Sequence, residues 1–319
     1  MKIVNLDGYT TNPGDLSWEG ISRLGDYTVY DRTAPNQVIE RAKGANILIV
    51  NKTIITKEIL DALSPELEYI GLQSTGYNVV DCEYARKLGI TVCNIPSYST
   101  KAVAQLVFAF ILQITNQVNL HSEAVKNGEW CSCPDFCFWK TPLTELAGKT
   151  IGIIGFGAIG RQVAKIAEAF DMKVLAYAPR PKEKGELKTV EFVDIDTLLS
   201  GSDIITCHCP LTEQTKGLIN KETIDRMKKS AIFINTSRGP VVDEKALADA
   251  LNNGKIAAAG LDVLETEPAK SDNPLLTARN CYITPHIAWA AQETRARLLK
   301  ILEENLEAYL NGKPQNVVN

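Results

Sequence analysis

A chain of 319 residues is long enough for two domains, since single hydrophobic cores rarely grow beyond roughly 250–300 residues. Its 45% hydrophobic content and mixed charges are typical of a globular protein. The net charge of −4 provides no basic surface, so we expect neither a nucleic acid nor a membrane as a partner. The amino terminus lacks a secretory hydrophobic region, and we therefore expect a cytoplasmic protein with reduced thiols.

The first hundred residues alternate strand-like and helical patterns, which predicts βαβ units and a parallel sheet. Ligands bind at the carboxyl ends of such strands, so two loops are candidates, 51–53 and 74–78. The second loop can present successive backbone N–H groups to an anion, but it also fits an ordinary turn. The predicted strands are 2–6, 46–50, 69–72 and 91–94, and the predicted helices are 37–43, 57–63 and 81–88.

The segment 102–114 is the most apolar stretch, and it is shorter than the ~20 residues that a membrane-spanning helix needs. We interpret it as a helix buried between domains or subunits. The following segment, 119–146, has an irregular pattern with several aromatic side chains, including Trp130, Phe136, Phe138 and Trp139. Such aromatics argue against disorder, so we expect this long loop to pack on another surface, for example a second subunit.

The eight cysteines do not form a metal-site pattern. Cys131, Cys133 and Cys137 cluster in the sequence, but no second ligand pair accompanies them. Cys207 and Cys209 flank the end of a predicted buried strand, where cysteine often serves as a small hydrophobic residue. We expect no metal site and interpret all eight cysteines as structural.

A glycine-rich turn at 155–160 follows the strand-like run at 150–154 and opens a helical pattern. Gly155 permits the tight turn, Gly157 lets the backbone approach a pyrophosphate, and Gly160 permits close packing of helix and strand. Ala158 and Ile159 begin the helix, whose N-terminal N–H groups favour phosphate. A G-x-G-x-x-G turn alone is weak evidence, but its position between a strand and a helix predicts a Rossmann unit.

The second strand of this unit, 173–177, is followed by Ala178, where a ribose-binding acid is expected. Arg180 follows, and Lys182 and Lys184 come soon after. A missing carboxylate and a nearby arginine suit the 2′-phosphate of NADP. The alternative is a solvated basic loop without a ligand, so the cofactor is predicted as NAD or NADP, with a preference for NADP.

Three polar residues at the ends of apolar segments have suitable chemistry for a catalytic site. Arg238 can clamp a carboxylate in bidentate fashion, and His286 can act as a general acid near neutral pH. Glu267 can hold the imidazole and stabilise its charged form. Taken singly, they also fit a surface arginine, a core histidine and a solvated acid, and spacing cannot show that they meet.

The whole chain resembles the D-isomer-specific 2-hydroxyacid dehydrogenases. The resemblance rests on GFGAIG at 155–160, HCPLTEQTKGLIN at 208–220, INTSRGPVVDEKAL at 234–247, GLDVLETEP at 260–268 and TPHIAW at 284–289. It implies an α/β fold of two doubly wound parallel-sheet domains, with a Rossmann cofactor domain inserted into a flavodoxin-like substrate domain. The implied boundaries are 1–98 for the substrate domain, 99–286 for the cofactor domain, and 287–319 for a helix returning to the first.

The resemblance also implies roles for individual residues. Arg238 would bind the substrate carboxylate and carbonyl, His286 would donate the proton, and Glu267 would be its partner. Asp262 would contact the nicotinamide carboxamide. Cys209, Pro210, Thr215, Thr236 and Ser237 would line the cofactor, and the loop of Ser74, Thr75 and Gly76 would bind the substrate carboxylate beside Asn51.

The segments NLDGYTTNPGDLSW and PDFCFWKTPLTELAGKT are similar to the glycerate dehydrogenase/hydroxypyruvate reductase branch of that family. That similarity implies a homodimer in which Trp139 reaches the partner's active site. The expected reaction interconverts hydroxypyruvate, and also glyoxylate, with the D-hydroxy acid. Two alternatives remain open, a family member for a bulkier 2-keto acid and a dinucleotide-sensing scaffold like the related corepressors.

Overall fold

The computed structural model describes residues 1–180 and 185–319 and divides into two compact units. The first combines Met1–Ser99 with Trp289–Asn319, and the second is Thr100–Ala288, which lies between those segments in the sequence. The predicted Lys182 and Lys184, with Pro181, fall outside the described residues.

The first unit is a five-stranded parallel sheet in the order β2-β1-β3-β4-β5, which is the order of flavodoxin-like folds. Its central strands, with the sequences ILIV and YIGL, are buried on both faces, as helices on each side require. The strands are β1 (Lys2–Asn5), β2 (Asp26–Val29), β3 (Ile47–Val50), β4 (Tyr69–Leu72) and β5 (Thr91–Cys93), and the helices are α1 (Glu19–Ser22), α2 (Val38–Ala42), α3 (Lys57–Leu63), α4 (Cys82–Lys87) and, from the carboxyl-terminal segment, α11 (Gln292–Leu310).

The second unit is a seven-stranded parallel sheet in the order β12-β11-β10-β9-β6-β7-β8, the Rossmann order with one added strand. The prediction of an α/β fold with two parallel sheets is therefore confirmed. The strands are β6 (Thr150–Ile154), β7 (Lys173–Tyr177), β8 (Val190–Phe192), β9 (Ile204–Cys207), β10 (Ile232–Asn235), β11 (Ala258–Leu261) and β12 (Cys281–Ile283), and the helices are α5 (Thr100–Asn116), α6 (Val118–Lys126), α7 (Ala158–Ala169), α8 (Ile195–Gly201), α9 (Lys221–Asp225) and α10 (Glu244–Asn252).

Helix α5 packs on the sheet and on α7 within its own unit, where Phe108 stacks on Phe170 with ring centroids 5.4 Å apart. Phe110 lies against Gly260 of β11. A stripe of exposed side chains remains along the helix at Lys101, Gln105 and Ala109. The apolar segment 102–114 is therefore part of a helix that packs in the core of the second unit.

The prediction that 119–146 is irregular is wrong for the first residues of this segment, because α6 extends to Lys126. Its polar, mostly exposed residues give only a weak helical pattern, which explains the miss. No single helix in the described ranges is long and apolar enough to cross a membrane, and one pair, α5 and α6, meets that test only in combination across a 51° bend.

The structural interpretation of all eight cysteines is also wrong in part. Cys93, Cys207 and Cys209 are buried, but Cys131 and Cys137 are exposed in the loop after α6. Burial raises the pKa of the Cys209 thiol. Cysteine sequence spacing does not reveal which thiols reach solvent, and here the exposed ones lie outside the cores.

Candidate functional site

The turn between β6 and α7 has the geometry that the glycine pattern predicts. Gly155 adopts φ +97°, and a Cβ there would lie 2.6 Å from the His208 backbone. A Cβ on Gly160 would lie 2.3 Å from the Gly155 carbonyl oxygen. Both positions therefore exclude any side chain, and the turn brings β6, α7 and the end of β9 together.

The start of α7 fits a dinucleotide phosphate. Gly157 is the N-cap residue, no atom lies within 4 Å of the Cβ position there, and Ala158 and Ile159 follow in the first helical turn. Near the carboxyl end of β10, the Thr236 hydroxyl oxygen is buried without a hydrogen-bond partner among the described residues. An open helix N-terminus and an unsatisfied buried hydroxyl in one Rossmann unit are what a polar cofactor would satisfy.

The loop after β9 is held by its own side chains. Thr215 Oγ1 donates to the Pro210 carbonyl oxygen at 2.6 Å and accepts from the Thr212 N–H at 2.8 Å. Cys209 is buried at the beginning of this loop. Thr215 therefore shapes the loop around Cys209 and Pro210, whatever further contact it makes with a ligand.

A histidine–carboxylate pair forms shortly after β12, where His286 Nδ1 lies 2.6 Å from Glu267 Oε2. The two side chains are 29% and 36% exposed, so a small molecule can reach them. His286 has a φ of +55°, a conformation that histidine adopts more readily than most residues. The Glu267 contact occupies Nδ1, so Nε2 is the ring nitrogen that this contact leaves available.

Asp262 fixes the segment that carries this histidine. Its carboxylate accepts hydrogen bonds from the Thr284 hydroxyl at 2.6 Å and from the N–H groups of Ile287 and Ala288 at 2.8 and 2.9 Å. Burial raises the pKa of the Asp262 carboxyl, while these donors act in the opposite direction. The sequence pattern did not reveal this positioning role, since the donors come from more than twenty residues away.

Arg238 follows β10 and is exposed, although Ser237 and Gly239 on either side are buried. Its Nη1 donates to the Ser237 carbonyl oxygen at 2.7 Å, and Asn235 Nδ2 donates to the Arg238 carbonyl oxygen at 3.0 Å. A Cβ on Gly239 would lie 1.9 Å from the Leu264 carbonyl group, so this loop lies directly against the segment that leads to Glu267.

His208 also follows a strand of the same sheet, but its environment differs. Its Nε2 lies 2.9 Å from the Thr206 hydroxyl, and its Nδ1 is buried with no partner among the described residues. Burial lowers the pKa of His208 to about 3. This imidazole is therefore neutral near physiological pH.

In the first unit, the loop after β4 has unused donors. Ser74 and Thr75 direct their hydroxyls to the carbonyl oxygens of Gly76 and Ile95, both at 2.7 Å. Within residues 1–180 and 185–319, the backbone N–H groups of Ser74, Thr75 and Gly76 donate no hydrogen bond. Successive free N–H groups at the carboxyl edge of a sheet suit an anion such as a carboxylate.

The loop after β3 differs because a side chain that the sequence pattern did not single out, Asp7, already occupies its donors. The Asp7 carboxylate accepts from the N–H groups of Asn51, Lys52 and Thr53 at 2.7, 2.6 and 2.7 Å. Asp7 lies two residues beyond β1, at the same edge of the sheet. This position after a strand is the one feature of the sequence that could have indicated its contact with the loop after β3.

Trp139 lies in an exposed arm that we define as residues 127–145. Trp139 is 66% exposed, Phe136 is 90% exposed and Trp130 is 52% exposed. The arm has internal contacts, since Trp130 Nε1 donates to the Phe136 carbonyl oxygen at 3.0 Å and Lys140 pairs with Glu129. Large aromatic side chains are thus held in an ordered segment without being covered by its own unit.

Comparisons with known proteins agree with this geometry. Residues 108–288 match the family model of the D-isomer specific 2-hydroxyacid dehydrogenase NAD binding domain. The chain is 51% identical to a hydroxypyruvate reductase of Blautia hydrogenotrophica over all of both chains. It is 42% identical to a glycerate dehydrogenase of Methylorubrum extorquens, over 92% of each chain.

A solved structure of an acyclic imino acid reductase in complex with NADPH and D-Arg is 35% identical, covers all of both chains and superposes with a TM-score of 0.85. The matched segment contains the glycine turn, Arg238 and the His286–Glu267 pair, so sequence and geometry point to the same group. The chain belongs to the D-isomer-specific 2-hydroxyacid dehydrogenase family of oxidoreductases.

Proposed function

We propose that this enzyme reduces hydroxypyruvate, and also glyoxylate, to the corresponding 2-hydroxy acid, giving D-glycerate from hydroxypyruvate. The observation that carries the proposal is the 2.6 Å contact between His286 and Glu267 in the unit that contains the Rossmann turn. A histidine paired with a carboxylate is suited to give a proton to a carbonyl oxygen that gains negative charge.

A nicotinamide cofactor held at the glycine turn and near Thr236 would supply a hydride for the keto carbon, and the residues of this chain provide the remaining chemistry. His286 Nε2 donates its proton to the carbonyl oxygen, which becomes the hydroxyl group of the product. The Glu267 carboxylate holds the imidazolium through Nδ1 in the orientation that this transfer needs. Arg238, exposed between buried neighbours, binds the carboxylate and the carbonyl oxygen and offsets the developing charge.

The loop after β4 provides a second group of donors for the substrate carboxylate. The unused N–H groups of Ser74, Thr75 and Gly76 support this role. Hydroxypyruvate and glyoxylate share this carboxylate next to the keto group, so the loop recognises the part of the substrate that all 2-keto acids have in common.

For the cofactor, the enzyme uses both NADH and NADPH with a modest preference for NADPH. Position 178, directly after β7, is a partly buried alanine without the carboxylate that would bind the ribose hydroxyls. Arg180 is exposed two residues later and supplies a cation for the 2′-phosphate.

The change Ala178→Asp is expected to move the ratio of kcat/KM values toward NADH, because it adds an acceptor and repels the phosphate. The complementary change, Arg180→Ala, should lower kcat/KM with NADPH alone. An equal loss of kcat/KM with NADH and NADPH would contradict the role of Arg180 in binding the 2′-phosphate.

The exposed aromatic side chains of the arm favour a homodimer in which Trp139 meets the partner's substrate. Ordered aromatic surface of this kind is typical of protein interfaces. Sedimentation of the wild type tests the dimer, and a monomer at assay concentrations would refute it. Trp139→Ala should then change the preference among keto acids while cofactor affinity stays constant.

The reaction is tested by mixing the purified enzyme with NADH or NADPH and following absorbance after adding hydroxypyruvate, glyoxylate or bulkier 2-keto acids. We expect the highest kcat/KM for hydroxypyruvate. A higher value for a bulky keto acid would replace the substrate proposed here. Absence of turnover with every acid and both cofactors, despite measurable cofactor binding, would favour the dinucleotide-sensing alternative.

A further inference from the structure

The loop after β4 is held by its carbonyl oxygens. The Ile95 N–H donates to the Ser74 carbonyl oxygen at 3.0 Å, and Asn94 Nδ2 donates to the Thr75 carbonyl oxygen at 2.7 Å. The Gly76 carbonyl oxygen accepts from the Ser74 hydroxyl at 2.7 Å. Among the described residues, the loop therefore uses the three carbonyl groups of 74–76 and none of the three N–H groups.

The bound carbonyl groups also set the directions of the free N–H groups. The peptide units of this loop are trans, and in a planar trans unit the N–H points to the side opposite the carbonyl before it. The bond from Asn94 to the Thr75 carbonyl oxygen thus orients the Gly76 N–H. The bond from Ile95 to the Ser74 carbonyl oxygen does the same for the Thr75 N–H. Two residues at the end of β5 therefore orient two successive donors for an anion.

Asn94 is itself held on both sides of its backbone. Its N–H donates to the Asn316 carbonyl oxygen at 3.1 Å, and its carbonyl oxygen accepts from Asn305 Nδ2 at 2.9 Å. Asn316 Nδ2 donates to Asn305 Oδ1 at 2.8 Å, so the three asparagines form one closed group. Asn94 and Asn305 are buried, and water therefore has little access to replace a lost amide.

The segment 316–319 supports this group from the free edge of the five-stranded sheet. β5 is the last strand of that sheet, and Cys93 forms an antiparallel bridge with Val317. The Val318 N–H donates to the Val92 carbonyl oxygen at 2.9 Å. A segment distant in the sequence thus fixes the end of β5 and, through Asn94, the loop after β4.

We infer that Asn94 is a positioning residue for carboxylate binding by the loop after β4, and that the segment 316–319 holds Asn94 in place. The inference rests on the proposed function, in which this loop binds the carboxylate of the keto acid. All contacts that carry it lie within the first unit. Asn94 acts through the direction of the Gly76 N–H and does not touch the substrate. An oriented N–H binds the carboxylate equally before and during hydride transfer, so its loss should weaken binding and leave the chemical step unchanged.

The change Asn94→Leu keeps the approximate size of the side chain and removes its donor. The Thr75 carbonyl oxygen then lacks this partner, and the peptide unit can turn its N–H away from the anion. KM for hydroxypyruvate should rise about tenfold, while kcat and KM for NADH change less than about twofold. An unchanged KM for hydroxypyruvate, or a loss of kcat as large as the rise in KM, would overturn the inference.

Asn46→Leu gives a matched control, because Asn46 Nδ2 also donates to a backbone carbonyl oxygen, that of Glu66, but at the amino end of β3. This control should leave KM for hydroxypyruvate unchanged, and a rise equal to that in Asn94→Leu would contradict a specific role for Asn94. If Asn94→Leu does not fold, Asn94→Ala takes its place, with the same expected rise in KM and the same contrary result.

Asn316→Gly tests the contribution of the segment 316–319. Asn316 has a φ of +56°, which glycine adopts readily, so the variant loses the amide and keeps the carbonyl group that binds Asn94. KM for hydroxypyruvate should rise about two- to threefold. A folded variant with the wild-type KM would show that the segment does not support Asn94.

Oxalate separates this inference from the proposed function. Its carboxylates are not reduced by NADH, so its binding, measured by calorimetry in the presence of NADH, does not depend on turnover. The dissociation constant should be about tenfold higher in Asn94→Leu than in the wild type. Equal dissociation constants would refute the role of Asn94 even in an active enzyme. Weaker oxalate binding in the variant, with a wild type that reduces no keto acid, would support that role and refute the proposed function.

Discussion

Two histidines, His208 and His286, follow strands of the same sheet, and their surroundings differ. His208 comes directly after β9, and its ring is bonded through Nε2 to a neutral hydroxyl, with Nδ1 enclosed. His286 comes shortly after β12, and its ring meets a carboxylate at 2.6 Å while remaining partly exposed. A position at the end of a strand therefore does not by itself give a histidine a carboxylate partner or an exposed ring. These two features are the reason for proposing His286, and not His208, as the proton donor.

Replacement of His286 tests the comparison most strongly. His286→Gln removes the proposed proton donor, so kcat for keto acid reduction should fall roughly 10²–10⁴-fold, the usual contribution of a positioned acid. Cofactor affinity, measured by fluorescence titration, should change far less. A variant that retains a tenth of the wild-type kcat would show that another group donates the proton.

The carboxylate of the pair is tested by Glu267→Gln, which preserves shape and an acceptor oxygen but removes the negative charge. Without the charge, the ring loses the ionic partner that holds it in place during proton transfer, so kcat at neutral pH and saturating substrate should fall about tenfold or more. A Glu267→Gln variant with the wild-type kcat would contradict a role for this carboxylate in the reaction.

His208 should affect stability more than catalysis. Its folded-state pKa of about 3 lies below the ordinary value of 6.5, so the unfolded chain binds more protons at acidic pH. The wild type should therefore lose stability as pH falls below 6.5, by up to about 1.4 kcal/mol per pH unit until the folded pKa is reached. His208→Gln should lack this part of the acid sensitivity.

Urea unfolding at pH 7.0 and pH 5.0 measures this difference, with the free energy of unfolding compared between wild type and variant at each pH. The variant has no imidazole at this position, so its loss of stability between the two pH values should be smaller. If His208→Gln and wild type lose the same free energy, the ring is protonated at little cost and is not neutral for the reason given. A kcat loss as large as that of His286→Gln would erase the contrast between the two histidines.

Much of the fold follows from local patterns in the sequence. The strands β4, β6 and β7 have the predicted limits. The sequence patterns do not predict β2 and β8, which are short and partly exposed edge strands. Such strands have weak hydrophobic periodicity, because few of their side chains are buried by the rest of the unit.

The site was predictable where single residues occupy known motifs, and not where side chains come from distant segments. Arg238, Glu267 and His286 each lie in a recognisable motif, but the contact between Glu267 and His286 required the structure. Asp7 binds a loop more than forty residues away, and no local period signals such a contact. The same holds for Asp262, whose donors belong to the segment around His286.

The exposed arm has an optical consequence. The chain contains four tryptophans, and two of them, Trp130 and Trp139, belong to the arm and are 52% and 66% exposed. Indole emission shifts to shorter wavelength when water is excluded from the ring, so the arm provides its own fluorescent reporter. Covering of the arm by another surface would shift the emission of these two indoles without any added label. Trp130 and Trp139, which expose apolar surface in the arm, thus also allow its burial to be followed by fluorescence in solution.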